Sequence, residues 1–502
     1  MHSGLRVLAG SAIIAAATFV IHADTPLPSQ LADIQLQLGR LLFDQGQYPE
    51  SLDAYRNAVN TENSATARQA RAGVVLAALR VADFDLARRE AETLVKVAPR
   101  DPDALALYAD SLWASGLFDV AEDEYRAALA LAPELARGRH GLARSLLART
   151  KLDEAMNEAQ AALRLAPRDL EIHHTVGTVY ERMHKYEEAA ASYGNYVNLL
   201  PNKDRSEKAE WARAEIRFLR SFGQRLPFDM DPGAADEIHT IDFKLVQEKV
   251  VVRAKVNGST AQDFVVDTGA ESTVLTRPTT ARLGISPITY TLSAGVGDIG
   301  LRGLQLARID SLEIGTLKVR NIPVIVKSPP LRDIPQRETE SLSPLALGFS
   351  MAIDYKAHKL MFGRHLPHEP VDFELPLRLY RLAMVRGVVG GHAANFVVDT
   401  GGEVISISQA TASALAKTDV RRIPLRVWGT SGWEKDAFLL PGVDLSFDAI
   451  KFKNFSVVVL NLDAPSILLG FQLGGIVGTQ FLKNYRVGID LEHSLLRLKS
   501  VS

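Results

Sequence analysis

No cysteine occurs anywhere in the 502 residues. That excludes disulfides, thiolate nucleophiles, cysteine–zinc centres and lipid attachment through an N-terminal cysteine. Net charge is nearly absent too: 57 basic against 59 acidic side chains leave −2, so no electrostatic ground exists for expecting nucleic acid or an acidic substrate. Long apolar runs are equally scarce. One stretch qualifies, Val7 to Ile21 behind His2 and Arg6, and it is short for a bilayer span. The His22-Ala23 step and the polar Asp24-Thr25-Pro26 after it read as an export signal ending at Ala23. An uncleaved anchor is the alternative. The expected location is periplasmic or secreted, with no stable membrane span once the signal is removed.

Against these absences stand two internal repetitions. In the first half Pro99, Pro133, Pro167 and Pro201 follow one another at intervals of 34. Twelve residues ahead of each lies an alanine (Ala87, Ala121, Ala155, Ala189), and twenty-four ahead lie Val75, Ala109, Ala143 and Gly177. Small side chains at those places let antiparallel helices approach closely, and the proline stops the second helix of each pair. The pattern resembles the tetratricopeptide repeat over roughly residues 30–202, with Gly39, Tyr55 and Ala58 marking an earlier copy offset by two. That resemblance implies an α-solenoid whose concave face holds a protein partner, or else one that braces the rest of the chain. A capping helix is expected from Arg205 to Phe222, followed by a linker punctuated by Pro227, Pro232 and Gly233. His173 and His174 are adjacent, so they project from different helix faces and cannot chelate a metal as a pair.

The second repetition is FVVDTG, at 264–269 and again at 396–401. Asp-Thr-Gly alone is a cheap match, arising by chance in about one chain in fifteen of this length. Here the flanks repeat as well: Gly258 with Gly390, Phe264 with Phe396, Glu271 with Glu403 and Leu283 with Leu415, all 132 residues apart. Beyond residue 240, valine- and isoleucine-rich runs such as Lys249–Val256, Ala383–Val389 and Phe455–Leu460 are broken by glycine and proline, which is the grammar of strands. Each half closes with an apolar-Gly element, Leu347-Gly348 before Asp354 and Val477-Gly478 before Asp490. The expected organisation is an export signal (1–23), an all-α solenoid (24–222), a linker (223–240) and an all-β two-lobed domain (241–366 and 367–502).

Residues 241–502 resemble the retropepsin-like aspartic proteases in their single-chain form. The matching residues are Asp267-Thr268-Gly269-Ala270, Asp399-Thr400-Gly401-Gly402 and the two apolar-Gly elements. The resemblance implies that Asp267 and Asp399 meet at a pseudo-twofold axis as a catalytic dyad, and hence an exported aspartic endopeptidase acting on a peptide or protein. The chemistry suits the residue types. Two carboxylates in contact share one proton; the ionised one takes a proton from water while the other hydrogen-bonds the scissile carbonyl. No metal, thiol or cofactor is required. Gly269 and Gly401 are expected to let backbone N–H groups approach the carboxylates, and Thr268 and Thr400 to bond across the lobe junction. Ala270 and Gly402 carry no hydroxyl beside the dyad, so its pKa values are expected above those of acid-active relatives and its optimum nearer neutral.

Two glycine-rich hairpins are candidate flaps: Ser293–Gly303, with Gly295, Gly297 and Gly300, and Trp428–Trp433, whose tryptophans either contact substrate or pack the hairpin. Gly295, Gly297 and Gly300 also match a dinucleotide-type G-x-G-x-x-G, but they open no helix. Gly348-Phe349-Ser350 resembles a nucleophile elbow without a histidine partner. Arg378, Arg381 and Arg386 read as the exposed face of a strand. Gly348 lies six residues before Asp354, whereas Gly478 lies twelve before Asp490, so lobe one is expected to lack about half of the segment between those elements. That keeps open a second function, a catalytically weak or inactive peptide-binding adaptor.

Overall fold

A computed structural model describes residues 28–297, 301–327, 340–415, 422–429 and 431–501. The expected export signal, Gly300 and residues 328–339 lie outside the described residues. From Ser29 to Leu199 the chain folds into five helical hairpins, and Glu207–Arg220 caps the stack. Local chemistry sets the helix starts: Asn63 Oδ1 accepts from the amides of Ala65 and Thr66, and the Asp101 carboxylate from those of Asp103 and Ala104 around Pro102. The periodic small residues sit where the helices touch. Ala87, Ala121, Ala155 and Ala189 are fully buried, and a Cβ on Gly177 would lie 2.6 Å from the Tyr193 ring.

The solenoid curls until its first and fifth hairpins meet. Asn202 Nδ2 donates to the Gln45 carbonyl at 2.7 Å, and Arg80 pairs with Glu171 across the interior. The concave face therefore does not open onto solvent along its length. It turns toward the β half, where Trp113 stacks edge-on against Tyr380 and Phe118 against Phe471 (ring centres 5.3 and 5.0 Å). Arg378 pairs with Asp119, the Gln472 amide donates to the Ala114 carbonyl at 2.7 Å, and Ser494 Oγ donates to the Arg149 carbonyl at 2.7 Å. The brace alternative describes this contact.

Each β lobe is a closed six-stranded barrel. In the first, Lys249–Val256, Gln262–Val266, Glu340–Leu342, Thr273–Thr276, Leu317–Lys327 and Leu301–Ile314 pair in that circular order. In the second, Leu382–Val389, His392–Val398, Gly475–Val477, Ile405–Ser408, Ile450–Leu460 and Phe438–Phe447 do the same. The alternating inward residues, Val250, Val252 and Ala254 in one and Ala383, Val385 and Val389 in the other, share a single apolar core. A six-stranded antiparallel sheet joins the lobes: Phe373–Tyr380, Leu495–Ser500, Tyr485–Asp490, Ser350–Asp354, Lys359–Gly363 and His239–Asp242. The stretch expected to be a linker is thus partly built in. Its Asp229–Met230 pairs with the first barrel, and the sheet's edge strand begins inside it, with His239 buried.

Register corrects one pairing drawn from sequence. Leu342 lies opposite Val266 as Val477 lies opposite Val398, so the counterpart of Val477-Gly478 is Leu342-Ser343, not Leu347-Gly348. Ser343 precedes Asp354 by eleven residues and Gly478 precedes Asp490 by twelve. Lobe one is therefore not shortened by half: the short helix Leu345–Leu347 stands where Thr479–Leu482 stands in lobe two. Gly348 misled because it ends that short helix in the left-handed region, φ 80°.

Candidate active site

Two strands deliver the two Asp-Thr-Gly turns. Gln262–Val266 and His392–Val398 bury Phe264, Val266, Phe396 and Val398 completely in the barrels, and the chain leaves each strand at the aspartate. The Asp267 amide donates to the Leu342 carbonyl at 2.9 Å and the Asp399 amide to the Val477 carbonyl at 3.0 Å. The threonines then lock the turns together. Thr268 Oγ1 donates to the Val398 carbonyl and Thr400 Oγ1 to the Val266 carbonyl, both at 2.6 Å. Each of those hydroxyl oxygens accepts the other threonine's amide at 3.1 Å. All four bonds cross the lobe junction inside a buried site, where an unmet donor or acceptor costs about 1–3 kcal/mol.

This lattice sets the Asp267 and Asp399 turns against each other, so that each glycine after the threonine lies beside the opposite carboxyl. The expected reason for glycine at 269 and 401 is extended by the geometry. Their amides do donate to the adjacent carboxylates, at 3.0 and 2.8 Å. In addition, a Cβ on Gly269 would stand 2.6 Å from Asp399 Cγ, and one on Gly401 2.7 Å from Asp267 Cγ. Each glycine leaves room for the opposite acid.

The two acids are not equivalent. Asp399 Oδ1 accepts from two amides, Gly401 and Gly402 at 2.8 and 2.9 Å, whereas among the described residues Asp267 accepts from the Gly269 amide alone. Burial, followed by the charge of Asp399, pushes Asp267 up to about 7. Burial also raises Asp399, but its two amides oppose that rise. The second amide therefore favours negative charge on Asp399 over Asp267. Lobe two braces its turn further: Thr479 donates to the Gly402 carbonyl through both its amide and Oγ1, at 3.0 and 3.1 Å.

Both hairpins line the cavity that holds the two aspartates, and their described residues touch. The Gly295 amide donates to Ser431 Oγ at 3.0 Å, and the Ser431 amide to the Val296 carbonyl at 2.9 Å. Gly297, at φ 132°, admits the Ser431 backbone where a Cβ would clash at 2.4 Å. Trp428 and Trp433 face each other across their hairpin at 5.2 Å, remain about 40% exposed and line the cleft, so they pack together and also present a surface to it.

Sequence reasoning missed Arg381 and Ser431. Arg381 is exposed, as expected, but it also reaches Glu271 with two nitrogens at 2.8 Å and ties lobe two to the turn after Asp267. The 132-residue offset held a signal, for it superposes Lys249 on Arg381 as it does Glu271 on Glu403. Arg378 likewise belongs to the contact with the repeats, while Arg386 is exposed as expected. His173 and His174 diverge: His174 packs among Tyr193, Tyr196 and Trp211, and His173 sits 3.0 Å from the Pro167 carbonyl.

The aspartyl protease family matches residues 252–350 and 385–481, one segment in each barrel, and the tetratricopeptide repeat family matches residues 75–136. The chain joins tetratricopeptide repeats to an aspartyl-protease domain. Among solved structures, TTC0263, a tetratricopeptide protein of Thermus thermophilus, is 18% identical over 38% of this chain and 98% of its own, with a TM-score of 0.32. PilF of Pseudomonas aeruginosa is 17% identical over 38% and 93%, with a TM-score of 0.28. YrrB, described as having an unusual peptide-binding site, is 18% identical over 36% and 91%, with a TM-score of 0.23. Comparison with curated proteins returns no match. In this fusion the repeats and the protease domain wall a common cavity of about 2440 Å³ that contains both aspartates.

Proposed function

We propose that this repeat–protease fusion is an exported aspartic endopeptidase whose dyad is Asp267 and Asp399. The observation that carries the reading is the crossed threonine lattice, which sets each Asp-Thr-Gly turn against the opposite carboxyl with unequal numbers of amide donors. A water between the carboxyls gives a proton to ionised Asp399 and attacks the scissile carbonyl carbon. Protonated Asp267 hydrogen-bonds the carbonyl oxygen and supplies the proton that makes the intermediate a gem-diol. On collapse the C–N bond breaks, one diol proton returns to Asp267, and the proton on Asp399 passes to the leaving amine. The flap hairpins cover the substrate, and Trp428 and Trp433 offer it an apolar surface.

The test compares the mature protein with Asp267→Asn and Asp399→Asn variants on an unbiased peptide library between about pH 3 and pH 8, a range that brackets a shifted dyad. Cleavage by the parent and loss in both variants is the expected result. A folded parent that binds library peptides and cuts none of them overturns the reading and leaves the adaptor in its place. Export is checked separately, by finding the mature N-terminus at Asp24.

A further inference from the structure

The cleft does not end at the two lobes. Its wall runs on across the inner faces of the helices Leu170–Arg182, Tyr186–Leu199 and Glu207–Arg220. Where the walls meet, the last of these presents Glu215, which is 9% exposed and among the described residues has neither a hydrogen bond nor an ion pair within bonding distance. Glu181 stands beside it and accepts from Tyr193 Oη at 2.7 Å. Tyr186, Tyr193 and Phe218 complete the lining. Two guanidinium groups face the same recess. Arg381 is committed to Glu271, and Arg182 donates to the Leu379 carbonyl at 3.4 Å. Three carboxyls thus meet two cations, in a recess walled by aromatic rings.

A buried acid without a base is costly unless something cationic meets it or it keeps its proton. Aromatic faces add attraction for an ammonium or guanidinium group, about 0.5–2 kcal/mol each. Two carboxyls are too few for calcium, which takes six to eight oxygen ligands. The recess shares its cavity with Asp267, and Glu271, four residues after Asp267, also lines it and pairs with Arg381.

We propose that Glu215 and Glu181, with Tyr186 and Tyr193, form a subsite for a basic side chain of the substrate, a lysine or arginine several residues from the scissile bond. The proposal rests on the peptide-hydrolysis reading above. The repeats then act as a specificity wall of the protease's own cleft. Burial and the charge of Glu181 push Glu215 up to about 8, so near neutral pH the pair of acids retains a proton, and the incoming cation takes its place as that proton leaves through the cleft.

The experiment uses the full chain and peptides carrying Lys, Arg or Gln at each position three to eight residues from the cut bond on either side. The expected result is a kcat/KM about ten-fold higher for Lys or Arg than for Gln at one position, the equivalent of about 1.4 kcal/mol. Glu215→Gln, which keeps the shape of the protonated acid, brings that ratio close to one, and Glu181→Gln does so independently. Equal rates for the cationic and neutral peptides at every position overturn the proposal, as does a preference that survives both substitutions. If the parent cuts no peptide, hydrolysis fails on its own, and the subsite is judged by binding. Fluorescence anisotropy of labelled Lys and Gln peptides must then show the same ratio and the same dependence on Glu215, and equal affinities overturn the proposal.

Discussion

Replacing Asp267 by asparagine should make the protein more stable at pH 8 and leave it nearly unchanged at pH 4. Asp267 is lifted from 3.8 to about 7, first by burial and then by the charge of Asp399. A carboxyl whose folded pKa is raised stabilises the fold while it keeps its proton. That contribution is complete below about 3.8 and is lost as pH climbs through about 7, because the unfolded chain ionises first. Each pH unit is worth about 1.4 kcal/mol, so the window from 3.8 to about 7 carries at most about 4 kcal/mol. Water reaching the half-buried carboxyls from the cleft lowers this to about 2–4 kcal/mol. Asparagine cannot ionise, so the variant has no such slope. Urea unfolding of parent and Asp267→Asn at pH 4, 6 and 8, followed by tryptophan fluorescence, measures the difference between the two, and groups that titrate in both proteins cancel. Parallel stability–pH curves would refute the assignment of the proton to Asp267.

Three further outcomes follow from the same geometry. Gly269→Ala forces a Cβ to within 2.6 Å of Asp399 Cγ, and a displacement of that size at the reacting groups should cut kcat about 100-fold with the fold retained by circular dichroism. Thr400→Val removes a donor to the Val266 carbonyl and an acceptor for the Thr268 amide, so unfolding free energy should drop by about 2–6 kcal/mol, at about 1–3 for each orphaned group. A calorimetric change below about 1 kcal/mol would contradict that. The pH–rate profile should decline as pH rises past about 7, where Asp267 loses its proton; an optimum below about 4 would show that the absence of a hydroxyl at Ala270 and Gly402 does not set the dyad's range.

Much of this was legible in the chain because repetition is a local property. The 34-residue spacing of Pro99, Pro133, Pro167 and Pro201 places the helix ends, and the buried Ala87, Ala121, Ala155 and Ala189 follow from the same count. The 132-residue offset picks out Asp267 and Asp399 without any alignment. Misreadings arose where a residue type serves two purposes. Gly348 looked like the partner of Gly478 but ends a short helix, whereas the position equivalent to Gly478 is the serine Ser343. Arg381 sat among apolar residues like any exposed strand cation, and its partner Glu271 is 110 residues away in sequence.

Residue order alone settles the two architectures, the doubled Asp-Thr-Gly and the need for small residues at 269 and 401, since backbone periodicity and residue type carry that information. Which acid keeps the proton is settled only in the folded chain, because it depends on how many amides each carboxylate meets and on how deeply it is buried. The same holds for the closure of the repeats on themselves and their turn toward the protease cleft. Whether Arg80 meets Glu171, Trp113 meets Tyr380 or Glu215 meets Glu181 depends on how half-apolar surfaces pack at long range, and residue spacing along a chain does not encode that.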